Sequence, residues 1–172
     1  MKRQIRYGCF ESNSSSSHTV CFTNKDAARF RSLEVEHKRE YPSTNTLVMS
    51  FGEFGWGPDT FIDEITKLCY ALTMVAETEE YGSIEEFYET EGFKNINELI
   101  KEHSPYIDGI EIPEDEFDFK SKWRRLTNGY IDHQSSTDDY HSLQDFLDNI
   151  GTTLYDFIFN PEVVLIIDND NH

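Results

Sequence analysis

Cysteine, positive charge and long apolar runs are all scarce in this sequence. The three cysteines, Cys9, Cys21 and Cys69, show no C-x-x-C spacing, which favours buried reduced thiols over disulfides or a metal site. The longest apolar run, residues 163–167, is far too short to span a bilayer, and residues 1–6 lack the apolar segment of a signal peptide. We therefore expect a cytoplasmic protein that does not enter membranes.

Lysine and arginine are scarcest after residue 50. Residues 1–50 hold 8 Lys+Arg against 5 Asp+Glu, whereas residues 51–172 hold 7 against 28, so the net charges are +3 and −21. A field this negative repels nucleic acid and anionic membranes, and direct binding to DNA or RNA is not expected. Solubility alone explains such a surface, and so does a basic partner protein that the chain would bind as a DNA mimic.

The apolar patterns that are present predict one folded domain. The chain has 172 residues, 13 Phe and 9 Tyr, which is enough for a core built partly from aromatic rings. Periodicity predicts strands at residues 5–9, 19–23, 46–51, 106–112, 129–132 and 162–167, and helices at residues 25–33, 59–75, 84–88, 96–100, 143–150 and 153–158. Interleaved strands and helices predict an α+β (or α/β) domain over residues 1–172, with a mixed sheet packed against helices.

Several local signals define these elements more closely. Ser83 with Glu86, and Asn95 with Glu98, have the spacing of capping boxes that begin helices. The continuous apolar run at residues 162–167 is typical of a central strand that is buried on both faces. Residues 113–123 are acidic, contain Phe and show no clean period, so they are a candidate for a mobile or partner-facing segment.

A run of hydroxyl side chains near the amino terminus is the first candidate site. Residues 10–18 read FESNSSSSH and lie between two predicted strands, which indicates a loop. Its hydroxyls and successive backbone amides suit a phosphate or another anion, although they would equally satisfy backbone groups within a long loop. His18 could supply a proton or a charge as a catalytic residue. The candidate ligand-binding residues here are Asn13, Ser14, Ser15, Ser16 and Ser17.

A second candidate site follows the predicted strand at residues 129–132. His133 is a candidate general base, with Asp132 either orienting it or acting separately as a metal ligand. Gln134 and Ser135 are candidate ligand-binding residues in the same turn. Adjacent strand residues point to opposite faces, so the two functional side chains share a site only if the strand ends between them. The alternative is a simple turn capped by Asp132.

Two further segments offer candidate site residues. In the glycine-rich segment at residues 52–58, Trp56 could stack on a ligand with Glu53 as acid or base, or the aromatic rings could only fill the core. Asp168 and Asp170 alternate with amides after a buried strand, a pattern of hard oxygen ligands that suits Mg²⁺ or Ca²⁺. A solvated carboxyl-terminal tail explains the same pattern.

The order of these motifs resembles that of a known group of proteins. FESNSSSSH is similar to the amino-terminal F-E-[ST]-N-S-S-S-S-H signature of small acidic proteins of bacteriophages and prophages. Later blocks follow in the same order, at residues 51–56, 129–135, 157–160 and 168–171. The resemblance implies phage association and a shared polar site, and it implies no particular reaction. Cys9 stands where that family is expected to have an aliphatic residue, which argues against a cysteine nucleophile.

Three functions follow from these observations. The four polar blocks could converge on one pocket that binds a small phosphate-bearing or nucleotide-like ligand. The acidic half could instead make the chain a phage inhibitor that covers a basic nucleic-acid-binding surface on a host protein. A structural component of the virion is the third. The sequence identifies no cofactor.

Overall fold

A computed structural model describes residues 17–23, 36–37, 45–55, 59–121, 125–132 and 140–169. The strands within these ranges are β1 Ser17–Thr23, β2 Glu36–His37, β3 Asn45–Val48, β4 Glu53–Phe54, β5 Asp59–Phe61, β6 Gly109–Glu111, β7 Tyr130–Ile131 and β8 Val163–Asn169. The α-helices are α1 Glu64–Thr78, α2 Ile84–Glu89, α3 Glu91–His103, α4 Leu143–Ile150 and α5 Leu154–Phe159, and a 3₁₀ turn covers Glu114–Glu116.

The described strands form three small sheets. In the first, β8 lies between β1 and β5 and is antiparallel to both. In the second, β3 pairs antiparallel with β2 and parallel with β6, so this sheet is mixed. In the third, β4 and β7 form a parallel pair. Helices pack against these sheets, and the predicted α+β class is confirmed.

Aromatic rings form much of the core, as the composition predicts. Around α2, the ring of Phe87 lies 5.1–5.3 Å, centroid to centroid, from the rings of Tyr81, Phe93 and Phe117. Around α1, the ring of Tyr70 lies 5.1 Å from that of Phe54. Each ring covers a large apolar area, so these contacts hold the helices against the sheets.

The predicted central strand and most of the predicted helix starts are confirmed. In β8, the residues from Val163 to Leu165 are buried and the strand has a partner on both edges. Ser83, Ser142 and Thr153 cap α2, α4 and α5, because each side-chain oxygen accepts a hydrogen bond from an amide of the first helical turn. An apolar run and a capping residue each depend only on neighbouring residues, so both can be predicted from the sequence.

The predicted start of α1 is wrong. Residues 59–61 form strand β5, which pairs with β8, and the helix begins only at Glu64. The Asp63 carboxylate accepts a hydrogen bond from the amide of Thr66 at 2.8 Å and so caps the first turn. Ile62, predicted on the apolar face of the helix, lies before it and is exposed.

The predicted capping box at Asn95 is also wrong, because α3 begins four residues earlier at Glu91. The preceding Thr90 donates its hydroxyl hydrogen bond to the carbonyl of Phe87 and caps no amide of α3. Glu79, from the end of α1, instead accepts a hydrogen bond from the amide of Gly92 at 2.9 Å. A cap supplied by another helix leaves no pattern in the local sequence.

The loop predicted over residues 10–18 is shorter than expected at its carboxyl end. Ser17 and His18 are the first residues of β1, because β8 continues to Asn169 and pairs with them. The strands predicted at residues 46–51 and 106–112 are present but shorter. The strand predicted at residues 5–9 and the helix predicted at residues 25–33 lie outside the described residues.

Residues 113–123, predicted as a mobile or partner-facing stretch, contact the core through part of their described length. Phe117 is buried and bridges to Leu126, and the ring of Phe119 stacks on that of Phe117 at 5.5 Å. The predicted partner-facing role of the segment stays a prediction. Across the described ranges, no helix has both the length and the apolar character needed to cross a membrane.

Candidate functional site

Strand pairing joins the end of the serine run to the aspartate-rich tail. In β1 and β8, His18 lies opposite Asp168 and Ser17 lies opposite Asn169. Directly opposed residues of antiparallel strands have Cα atoms about 4.5–5.5 Å apart. Two of the four polar blocks identified in the sequence therefore lie next to each other on paired strands.

Strand pairing also joins the other two polar blocks. Glu53 and Phe54 of β4 pair in parallel with Tyr130 and Ile131 of β7. Just past the end of β7, the amide of Asp132 donates a hydrogen bond to the carbonyl of Phe54 at 2.8 Å. Asp132 follows the strand as predicted, is half-buried and makes a further polar or electrostatic interaction. Glu53 is exposed.

A short stretch of chain links the two pairs of blocks. Phe54 ends β4 and Asp59 begins β5, and five residue steps span at most about 18 Å. Asp59 in turn lies opposite Ile167, next to Asp168 in β8. We call this region, built on Ser17–His18, Glu53, Asp59, Asp132 and Asp168, the strand-end site.

Several predicted site residues are not among those that the structure describes. These are Asn13, Ser14, Ser15, Ser16, Trp56, His133, Gln134, Ser135 and Asp170. Their predicted roles stay predictions. Within the described part of the chain, no cluster of three or more His, Cys, Asp or Glu side chains is arranged to hold a metal ion.

Carboxylates dominate the described part of the strand-end site. Glu53 and Asp59 are exposed and Asp132 is half-buried, so negative charge surrounds the ends of β4, β5 and β7. A phosphate placed beside these groups would be repelled unless a cation accompanied it. The site therefore favours a neutral or cationic ligand, or a phosphate bound together with a divalent cation.

Glu77 and Lys67 are two charged residues that position these strands, and the sequence patterns did not indicate their role. The Glu77 carboxylate accepts a hydrogen bond from the amide of Ile131 at 3.1 Å and so fixes β7 against α1. Lys67 is fully buried, and its Nζ donates hydrogen bonds to the carbonyls of Asn160 at 3.1 Å and Val163 at 3.2 Å. The position of Lys67 within the apolar pattern of α1 was the signal in the sequence that could have indicated its role.

Lys67 and its neighbour Glu64 lie at the opposite end of β8 from the strand-end site. Val163, which Lys67 contacts, begins β8 and pairs with Thr23 at the end of β1. Glu64 precedes Lys67 by one turn of α1, is 4 % exposed, and leaves its Oε1 atom without a hydrogen bond. These buried groups are therefore separate from the polar blocks predicted in the sequence.

Cys69 does not have the properties of a catalytic thiol. Burial, with smaller contributions from the negative charges of Asp63 and Glu116, raises the pKa of its thiol from 9.0 to about 11. A reactive cysteine requires the thiolate, which a raised pKa disfavours at neutral pH. Cys69 is a free thiol, as predicted, and it is half-buried where full burial was predicted.

Much of the net negative charge of the chain lies in one continuous described region, residues 77–118, which we call the acidic segment. It holds 15 Asp+Glu against 2 Lys+Arg, a net charge of −13 out of −18 for the whole chain. Eleven of these carboxylate side chains are exposed: Glu77, Glu80, Glu85, Glu86, Glu89, Glu91, Glu98, Glu102, Asp108, Glu114 and Asp115. The segment presents a strongly negative surface.

Hydrogen bonds hold the elements of the acidic segment in one body. The Tyr88 hydroxyl of α2 donates to the carbonyl of Ile112 at 3.1 Å and accepts from its amide at 3.0 Å. The Asn97 carbonyl oxygen of α3 accepts a hydrogen bond from the amide of Ile110 at 2.8 Å. The carboxylates on α2, α3 and β6 are therefore fixed relative to one another.

A groove of about 710 Å³ runs between α2, α3 and β6. Apolar side chains, among them Ile84, Tyr88 and Phe93, line part of it. The carboxylates that line it come from Glu85, Asp108, Glu111 and Glu114, and Lys101 is also part of the lining. This open groove has a mixed apolar and polar lining, and the sequence patterns gave no indication of it.

Fold and site together define an acidic α+β protein with two candidate binding regions, the strand-end site and the groove of the acidic segment. No family model matches the chain, and no curated protein or solved structure matches it either.

Proposed function

We propose that this protein binds a positively charged partner protein through its acidic segment and thereby covers the partner's nucleic-acid-binding surface. The observation that carries the proposal is the charge of residues 77–118, with 15 Asp+Glu against 2 Lys+Arg on elements that are bonded into one body. Fixed carboxylates attract a cationic surface and steer its approach. The resemblance of residues 10–18 to a phage protein signature supports a bacterial host protein as the target.

The acidic residues of the segment differ in their local contacts. Hydrogen bonds from its own backbone amide and from Ser83 lower the pKa of Glu85. Two other acidic residues, Glu116 and Asp118, are less accessible to a partner. The side chain of Glu116 is partly buried, and the Asp118 carboxylate accepts hydrogen bonds from the amides of Lys120 and Ser121. The exposed carboxylates of the acidic segment are therefore the ones to test.

Neutralising four exposed carboxylates of the acidic segment is expected to weaken partner binding by about tenfold at low salt, because the lost charges no longer attract the partner. The substitutions are Glu80→Gln, Glu85→Gln, Glu114→Gln and Asp115→Asn. The assay loads immobilised double-stranded DNA with the DNA-binding proteins of a bacterial extract and measures which of them the added protein releases. The unaltered protein should release a defined partner, and the variant should not.

The matched control neutralises four exposed carboxylates outside the acidic segment: Glu53→Gln, Asp59→Asn, Asp145→Asn and Asp148→Asn. It changes the net charge of the chain by the same amount and should release the partner as well as the unaltered protein does. Equal loss of release in both variants, or release of nothing by the unaltered protein, contradicts the proposal. Salt should weaken the interaction, since exposed charges are screened within about 10 Å at 0.1 M.

A second function, binding of a small phosphate-bearing ligand at the strand-end site, is supported by the pairing of His18 with Asp168. His18→Ala is expected to weaken binding of a nucleoside monophosphate in the presence of Mg²⁺ by about tenfold, measured by isothermal titration calorimetry. Binding should require the cation, because carboxylates surround the site. The fourfold variant of the acidic segment serves as control and should bind normally. Heat of binding that is unchanged by His18→Ala, or that needs no Mg²⁺, contradicts this function.

A further inference from the structure

We infer that the groove between α2, α3 and β6 is the docking site for one extended cationic segment of the partner, in which Lys or Arg residues flank an aliphatic or aromatic side chain. This inference rests on the proposed function and names the part of the acidic segment that makes the specific contact. The groove joins an apolar floor, with Ile84 and Phe93, to a rim that carries Glu85 and Glu114. The apolar floor fits an apolar side chain and the acidic rim fits a basic one, so one occupant must carry both.

Charge complementarity determines the sign of the occupant. Four carboxylates and a single ammonium group, that of Lys101, line the groove, so its net charge is −3. Glu85, Asp108 and Glu114 are exposed and therefore accessible to the side chains of a partner. An anionic or neutral segment would gain nothing from this rim, whereas Lys and Arg reach carboxylates with long apolar stems that also cover the floor.

The number and arrangement of the charges favour a peptide over a single metal ion. A groove of about 710 Å³ falls within the range of pockets that bind ligands of many atoms. Among the described residues, no three potential metal ligands cluster, so a metal ion would not be held by three of the rim carboxylates. A peptide with several positive charges can pair with more of the four carboxylates than one ion can.

The partner segment contributes side chains and does not add a strand to β6. The amide of Ile110 already donates to Asn97, and that of Ile112 already donates to the Tyr88 hydroxyl. Strand addition requires such amides to be available for the incoming chain. Specificity therefore comes from the apolar floor and the charged rim, and the backbone of the groove stays as it is.

Two peptides test the inference by fluorescence anisotropy with the full chain. One alternates lysine with leucine, and the matched peptide has serine in place of leucine and the same charge. We expect the leucine peptide to bind at least about tenfold more tightly, because only leucine covers the apolar floor. Ile84→Ser should remove most of this preference without changing the charge of the groove.

Charge reversal within the acidic segment then locates the site. The double variant Glu85→Lys with Glu114→Lys, on the groove rim, should weaken the leucine peptide by about tenfold or more. The control, Glu98→Lys with Glu102→Lys on α3, has the same change in net charge on exposed residues that do not line the groove. It should weaken binding of the leucine peptide by less than about threefold, since its charges lie outside the groove and are screened by salt.

The outcomes separate this inference from the function on which it rests. Equal weakening by both double variants, or equal binding of both peptides, overturns the groove as the docking site. Release of a DNA-bound partner by the unaltered protein would then still support binding through the acidic segment as a whole. Thermal unfolding of each variant, followed by circular dichroism, must match that of the unaltered protein, and Ile84→Val replaces Ile84→Ser if the latter fails to fold.

Discussion

Replacing Phe87 by alanine is expected to lower the free energy of unfolding by about 4 kcal/mol, because a fully buried ring is removed and a cavity is left. Phe87 has no exposed surface, and it contacts aromatic side chains of several separate elements. Among them are Phe51 before β4, Phe93 on α3 and Phe117 after the 3₁₀ turn. The ring thus joins α2 to the rest of the core.

Urea denaturation followed by circular dichroism measures this loss, and Tyr106→Ala is the matched control. Tyr106 is also aromatic but is 82 % exposed, so its removal should change stability by less than about 0.5 kcal/mol. A loss of about 4 kcal/mol is a large part of the 5–15 kcal/mol typical of a whole domain. If Phe87→Ala does not fold, Phe87→Leu should show a smaller loss of about 1–2 kcal/mol. Unchanged stability in both variants would contradict the described core.

Replacing Lys67 is expected to give the second largest effect, and two variants separate its causes. Lys67→Met keeps most of the packing but removes the charged donor from the carbonyls of Asn160 and Val163, which should cost about 2 kcal/mol. Lys67→Ala removes the packing as well and should cost about 4 kcal/mol. Asn160 is the C-cap that follows α5, where a positive charge also interacts favourably with the helix carbonyls.

Lys120→Met is the control for Lys67, since Lys120 is exposed and its replacement should change stability by less than about 0.5 kcal/mol. Equilibrium urea denaturation of the three variants gives the comparison. Burying a charge is costly, and an apolar residue of the same size is sometimes better tolerated. A Lys67→Met variant as stable as the unaltered protein would therefore show that these two hydrogen bonds do not offset the cost of burying the ammonium group.

The elements that the sequence predicts correctly are those set by neighbouring residues. Ser142 and Thr153 cap helices three residues before a satisfied amide, and the apolar run of β8 is its own signal. The start of α1 was mispredicted because β5 forms only by pairing with β8, about 100 residues later in the chain. The start of α3 was mispredicted because Glu79, on another helix, supplies its cap.

The candidate site shows the same limit. Polar blocks at strand ends are visible in the sequence, and the structure pairs His18 with Asp168 and Phe54 with Ile131. Their partners were not predictable, because His18 was expected in a loop and the pairing of strands that are distant in the sequence leaves no local pattern. The groove was not predictable at all, since its walls come from three elements and its lining mixes the ordinary core residue Phe93 with ordinary surface residues such as Glu85.

The pairing of β1 with β8 has a consequence for how the chain folds. Ser17 meets Asn169, 152 positions later, so this sheet closes only after a very long loop has been ordered. Closing such a loop costs chain entropy before any contact repays it, which slows folding. During synthesis, β1 leaves the ribosome long before its partner exists, and the central strand of the sheet is made last. The edges of β1 and β5 that pair with β8 stay open until β8 is made, which makes the nascent chain prone to aggregation during that interval.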